Sequence, residues 1–267
     1  MELALTNLSI LLLAAPVAGL VFGSFLNVCI VRLPQHRSVV RPRSQCVACG
    51  QPIAAWDNIP VLSWLILRAR CRHCHARISL QYPLVELATA ALFLACVLRF
   101  GAQWQTLVAA IACFLLLGLA VMDAQTMLLP DAFTLSGIAI AVALRALAPG
   151  AHPRWAAALA AVRDAAVAAT VLLLIQGVYW LIRRKWGLGL GDVKLLAMIA
   201  AFLGIAHTAF ALFAGVVAAA MFALVLLAAQ RANRTTPLPF GTFLCGGAIA
   251  AIFAGEPVIR WYLHFFR

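Results

Sequence analysis

The chain has 267 residues, of which 65% are hydrophobic and only 10% charged. A soluble domain cannot hide that much apolar surface, so the sequence reads as a polytopic membrane protein. The formal net charge of +12 would suggest nucleic acid on a soluble protein, but enrichment of Lys and Arg on the cytoplasmic side of a membrane explains it without one.

Leu8 to Val31 is an apolar run long enough to span a bilayer. Ala14-Ala15-Pro16-Val17-Ala18 faintly resembles a signal-peptidase site. No basic segment precedes it, however, and the apolar run continues to Val31, so it reads as an uncleaved first span. Glu2 lies before this span and Arg32 and Arg37 after it, which predicts an outward N-terminus and a cytoplasmic loop. Gly19, Gly23 and Ser24 offer small-residue spacing for close helix packing. Asn27 is a lone polar group in need of a partner.

Residues 32–83 form the one substantial soluble segment, with eight arginines (32, 37, 41, 43, 68, 70, 72 and 77) against a single acid, Asp57. Cys46 and Cys49, then Cys71 and Cys74, make two C-x2-C pairs separated by 21 residues. Two such knuckles can close a tetrahedral four-thiolate zinc site with no open position, hence a structural one. Disulfides are the competing reading, disfavoured in a reducing cytoplasm. His73 and His75 could replace a thiolate but read better as solvated loop residues. Cys29, Cys96, Cys113 and Cys245 lie in apolar runs and read as packing residues. Trp56 to Leu65 is too apolar for a free loop, and is expected on the membrane surface or folded back against the spans.

A second span starts at Pro83 or Leu84 and runs to Leu98, with Glu86 read as a first-turn acid favoured by the helix dipole. Leu107 to Met122 returns inward and ends at Asp123, and Phe133 to Leu147 follows after Pro130-Asp131. A fifth span falls within Ala156 to Ile182, followed by the basic cluster Arg183 to Lys185. Val193 to Ala229 is too long for one crossing, and Gly204 to Thr208 divides it. Gln230 to Arg234 is a basic inner loop, and Phe240 opens an eighth span with an outer C-terminus. The expected fold is therefore all-α and polytopic, with about eight transmembrane helices. Its parts are a first helix (1–31), a cytoplasmic zinc-ribbon-like loop (32–83) and a seven-helix membrane domain (84–267). On this topology fourteen of the twenty Lys and Arg residues are cytoplasmic, as the positive-inside rule requires.

The same topology places Asp123 and Asp192 at the cytoplasmic ends of the third and sixth spans. Asp192 lies in Gly189-Leu190-Gly191-Asp192-Val193-Lys194, where glycines let the backbone approach another chain closely. A charge at a bilayer edge is costly and is a functional candidate, although a bare N-cap role would also explain Asp192. Two carboxylates at close range share a proton, so one can take a proton from water while the other donates to a carbonyl oxygen. That is hydrolysis of a peptide bond without a covalent intermediate. The runner-up from the same residues is a carboxylate-lined transporter. Asp131, after Pro130, reads as a helix N-cap.

These motifs resemble the type IV prepilin peptidases. The resemblance rests on Gly189 to Lys194, and on Asp123 followed by Met127-Leu128-Leu129-Pro130-Asp131. It continues in Phe22 to Val28, Arg32-Leu33-Pro34, the cysteine loop with Asp57-Asn58-Ile59-Pro60 and Leu62-Ser63-Trp64, and Tyr82 to Leu87. The resemblance implies Asp123 and Asp192 as the catalytic pair, with Asp131 outside it. It implies a bifunctional enzyme that removes the basic leader of prepilins or pseudopilins at the cytoplasmic face of the inner membrane. The enzyme would then methylate the new N-terminal amine with S-adenosylmethionine. Members with a four-cysteine loop are generally bifunctional; members without it often only cleave. No glycine-rich cofactor fingerprint stands out, so the methyl-transfer residues stay unassigned. A peptidase without the second activity, or a zinc-loop scaffold without chemistry, would also fit these residues. The expected partners are the pilin substrates and the lipid bilayer, not nucleic acid.

Overall fold

Among the described residues, eight helices of 14 residues or more fall on the eight apolar runs. The computed structural model describes residues 2–184, 187, 189–230 and 236–265. The helices are α1 (Glu2–Arg32), a short α2 (Leu62–Ile66), α3 (Gln81–Phe100), α4 (Trp104–Thr126) and α5 (Asp131–Ala146). There follow α6 (Arg154–Arg183), α7 (Leu190–Leu203), α8 (Ile205–Ala228) and α9 (Phe240–Phe265). Among the described residues, six are long and apolar enough to cross a membrane: α1, α3, α4, α6, α8 and α9. At 16 and 14 residues, α5 and α7 fall short of that length. Gly204, at φ 77°, is the single residue that divides α7 from α8. Lys185, Arg231, Arg234 and Arg267, four of the cations in the orientation argument, lie outside the described residues.

The chain divides into two compact units, Met1–Phe114 and Leu115–Arg267. In the first, α1 packs along α3. The small-residue spacing is used as expected. A Cβ on Gly19 would sit 2.5 Å from the Ala90 Cα, and one on Gly23 would sit 2.7 Å from the Glu86 Cα. Asn27 finds its partner in the Tyr82 carbonyl, to which its Nδ2 donates at 3.0 Å. Glu86 differs from the sequence reading. It is in the second turn of α3, is only 6% exposed, and accepts the Val61 N–H at 2.7 Å. The carboxylate thus ties the cysteine loop to α3, and Val61 sits at φ 60° where that tie is made.

In the second unit α7 is the central element, packing against α5, α6, α8 and α9. Every residue from Leu195 to Phe202 is buried. A helix that is apolar all round has no solvent or lipid face to serve, so enclosure by its neighbours is the arrangement its sequence fits. This explains why so short a helix carries so little polarity. At the Gly204 end of this unit, buried Asp164 of α6 accepts from Arg145 of α5 at 3.0 Å and from Arg163 at 2.9 Å, so its charge is paired where it is desolvated. The opposite end gathers the C-terminus of α4 and the N-termini of α5, α7 and α9.

Candidate active site and tetracysteine centre

Asp123 is three residues from the end of α4 and 4% exposed. Its Oδ2 accepts the Thr242 backbone N–H at 2.7 Å and lies 3.1 Å from the Thr242 hydroxyl. That hydroxyl is also 3.0 Å from the Ala120 carbonyl. Its single proton serves one acceptor at a time, so the threonine can adapt to either protonation state of Asp123. The N–H belongs to the first turn of α9, where backbone donors lack intrahelical acceptors and favour an anion. The approach requires a glycine next door: a Cβ on Gly241 would sit 3.1 Å from both Cγ and Oδ2 of Asp123.

Asp192 is half-buried in the first turn of α7. It is not the N-cap. Gly189 holds that place, and Asp192, three residues on, accepts the Gly189 N–H on its Oδ2 at 3.2 Å. This is one half of a capping box, whose other half is impossible because Gly189 has no side chain. Gly191 gives the chain its close approach, and the neighbour it meets is the protein itself. A Cβ there would lie 3.1 Å from the Leu129 Cβ, so Gly191 seats the start of α7 against the loop that follows Asp123.

Asp123 and Asp192 line one cavity of about 880 Å3. Leu172, Ile175, Leu212, Val216 and Phe240 give it an apolar wall. Asp131 and Lys194 also line it. Asp131 is the first residue of α5 rather than its cap, which is Pro130, and it pairs with the Lys194 Nζ at 2.6 Å. That pair links the starts of α5 and α7 beside Asp123 and Asp192.

In the first unit the two knuckles fold alike. Cys46 and Cys71 each take the N–H of the residue four positions on, Gly50 or His75, on their carbonyls. Cys46 and Cys71 in turn donate to Gln51 and Ala76. His75, at φ 57°, occupies the left-handed position that Gly50 fills in the first knuckle, so its role is in the turn. The sulfurs of Cys46, Cys49, Cys71 and Cys74 all lie within 4.8 Å of one another, and neither His73 nor His75 joins the group. Cys46 and Cys74 are 3.8 Å apart, against an S···S edge of about 3.8 Å for a tetrahedron with Zn–S bonds near 2.3 Å. The Cys46 thiol is pulled down to about 6, first by a hydrogen bond from the Cys49 N–H. Cys71 is lowered chiefly by the Cys74 N–H. At Cys46 and Cys71, two of the four sulfurs, backbone donors thus favour the thiolate that a metal site needs.

The apolar segment between the knuckles both folds back and faces outward. Trp64 donates from Nε1 to the Ile78 carbonyl at 3.2 Å, while Trp56, Leu62, Leu65 and Ile66 are exposed. Ser63 holds the turn, donating to the Trp56 carbonyl and accepting the Ile59 N–H, both at 2.9 Å. Asp57 takes Arg72 of the second knuckle with both oxygens, at 2.5 and 2.7 Å, and this hydrogen-bonded guanidinium holds its carboxyl below the usual range.

Two family models match the chain: the Bacterial Peptidase A24 N-terminal domain over residues 17–100 and the Type IV leader peptidase family over residues 109–224. A relative from Aeromonas hydrophila is 35% identical over 92% of this chain and 91% of its own length. One from Stutzerimonas stutzeri is 34% identical over 100% of this chain and 98% of its own. The chain belongs to the type IV leader peptidase family. A relative from Myxococcus xanthus is 43% identical over 82% of this chain, which spans 64% of that protein's length. All three relatives carry the name prepilin leader peptidase/N-methyltransferase. No solved structure matches. Asp123, Met127, Leu128, Leu129 and Asp192 all line this cavity. Sequence reasoning missed Thr242, Gly241 and the Asp131–Lys194 pair. Only Gly241 leaves a trace in the sequence, as a glycine opening an apolar run.

Proposed function

We propose that this is a multi-pass inner-membrane enzyme that hydrolyses a peptide bond in prepilin-like substrates through Asp123 and Asp192. It then methylates the freed amine with S-adenosylmethionine. The observation that carries the peptidase reading is that two acids 69 positions apart in sequence, on α4 and α7, line one cavity. The relatives' shared name supports both activities. One carboxylate accepts a proton from the attacking water, and the other donates to the carbonyl oxygen, so charge never builds on the tetrahedral intermediate. The proton taken from water then goes to the leaving nitrogen, and the peptide bond breaks. Asp123, held by two donors of Thr242, has the firmer orientation of the pair. The apolar cavity wall suits a hydrophobic segment following the scissile bond. The distribution of Lys and Arg supports an active end at the cytoplasmic face, with both termini periplasmic.

The tetracysteine cluster is proposed to hold one structural zinc through Cys46, Cys49, Cys71 and Cys74. With four thiolates and no open position, the ion would brace the loop and take no part in hydrolysis. S-adenosylmethionine supplies an electrophilic methyl group. The acceptor amine can attack it only after cleavage, because a peptide nitrogen's lone pair is delocalised into its carbonyl.

The test is purified protein in detergent incubated with one prepilin, with and without S-adenosylmethionine, and read by mass spectrometry. Leader loss is expected in both reactions and an added methyl only with the donor. An intact substrate under both conditions would reject the peptidase reading.

A further inference from the structure

The first unit contains a second cavity, of about 510 Å3, that the proposed hydrolysis does not use. One wall is a single face of α1, made by Val21, Phe25, Val28 and Arg32 at helical spacings of four, three and four. Val21 is 59% exposed and Phe25 47%, so the face is open on the outside of the unit. From Val21 to Arg32 the helix rises roughly 16 Å at 1.5 Å per residue. One leaflet of a hydrocarbon core is about 15 Å deep. At the Arg32 end the cysteine loop closes over the cavity with Arg43 and Asn58 among its lining residues.

The mouth is cationic. The Arg32 guanidinium donates to the Ser38 carbonyl at 3.0 Å and the Arg43 carbonyl at 3.4 Å, acceptors that orient it without cancelling its charge. Among the described residues neither Arg32 nor Arg43 pairs with a carboxylate. Asp57, the loop's one acid, is engaged by Arg72. The cavity is therefore apolar along one leaflet's depth and positive at one end, the polarity profile of an anionic amphiphile.

We propose that this cavity binds one anionic phospholipid, with an acyl chain along Val21, Phe25 and Val28 and its phosphate between Arg32 and Arg43. Asn58 is placed to hydrogen-bond the glycerol or headgroup. Basic pockets at membrane interfaces take such headgroups, and the occupant would brace the loop against α1. A free phosphate would use the mouth and leave the apolar wall bare. S-adenosylmethionine is a poorer match, since its sulfonium and ammonium outweigh its carboxylate and two unpaired arginines repel the excess. The inference is independent of the peptidase reading.

The experiment is native mass spectrometry of the full chain from detergent, offered dioleoylphosphatidylglycerol and dioleoylphosphatidylcholine in equal amounts. One phosphatidylglycerol should be retained in preference. Arg43→Gln should cut that preference about fivefold, the contribution of one basic side chain near a membrane surface. Val28→Trp, filling the apolar wall, should reduce retention of both lipids, and Arg37→Gln, outside the cavity, should change nothing. Arg32 is spared because it also holds loop carbonyls, and circular dichroism with metal content checks that each variant is folded. Equal retention of the two lipids, or an unchanged preference in folded Arg43→Gln, overturns the proposal. So does displacement of the lipid by glycerol phosphate, which would mark a simple anion site. Displacement by S-adenosylmethionine, lost in Arg43→Gln, would assign the cavity to the methyl donor instead.

Discussion

Thr242 reaches Asp123 from 119 residues further along the chain, and this contact orders the substitutions by expected severity. Asp123→Asn and Asp192→Asn should each abolish leader cleavage, because each removes one half of the acid–base pair while nearly keeping its shape. Cleavage assays on the folded variants decide this, and an active Asp123→Asn enzyme would remove Asp123 from the pair. Thr242→Val keeps the backbone donor and loses the hydroxyl, so kcat should fall about tenfold, in line with a hydrogen bond to a charged group, with KM little changed. Thr242→Ser should restore the rate; if it does not, the threonine methyl, and not the hydroxyl, matters. Asp131→Asn and Lys194→Gln break the same half-exposed pair. Each should cost about fivefold or less, since such pairs contribute about 1 kcal/mol or less, and the double variant should be no worse than either single.

Three of the ties in the cysteine loop can be tested: its four-sulfur cluster, Glu86 on Val61, and Asp57 on Arg72. Purified protein should carry about one zinc per chain, and Cys71→Ser should lower that content, because a ligand that does not ionise weakens the site. Full metal retention without all four thiols would exclude the cluster. Asp57→Asn tests the third tie through pH. A carboxyl lowered in the folded state adds stability that is present above its unfolded value, near 4, and lost as pH falls through the folded value. The melting temperature of Asp57→Asn should therefore lie below that of the wild type by the same small margin at pH 7 and pH 5. The gap should close below about pH 4. A gap that widened in acid would contradict the sign of the shift.

If the loop carries a methyl-transfer site distinct from the acid pair, the two activities should separate. Asp192→Asn given full-length prepilin should yield neither product, but given an already trimmed pilin it should still methylate it. Failure of the folded, zinc-loaded variant on trimmed pilin would mean that both reactions need the acid pair. Much of this protein was legible without coordinates. Apolar runs located eight helices of 14 residues or more among the described residues, because a backbone out of reach of water must satisfy its own hydrogen bonds within each run. The C-x2-C spacing announced the sulfur cluster because each knuckle is local. Asn27 announced that it had a partner, since a buried amide without one is costly. The rest depended on packing between segments distant in sequence. Glu86 as a tie to Val61, Asp131 paired with Lys194 and Thr242 donating to Asp123 are all contacts that no local pattern encodes. Sequence periodicity fixes which face of a helix is apolar. Which polar atom meets which across a bundle is decided only when glycines such as Gly191 and Gly241 let particular backbones close to within a side chain's reach.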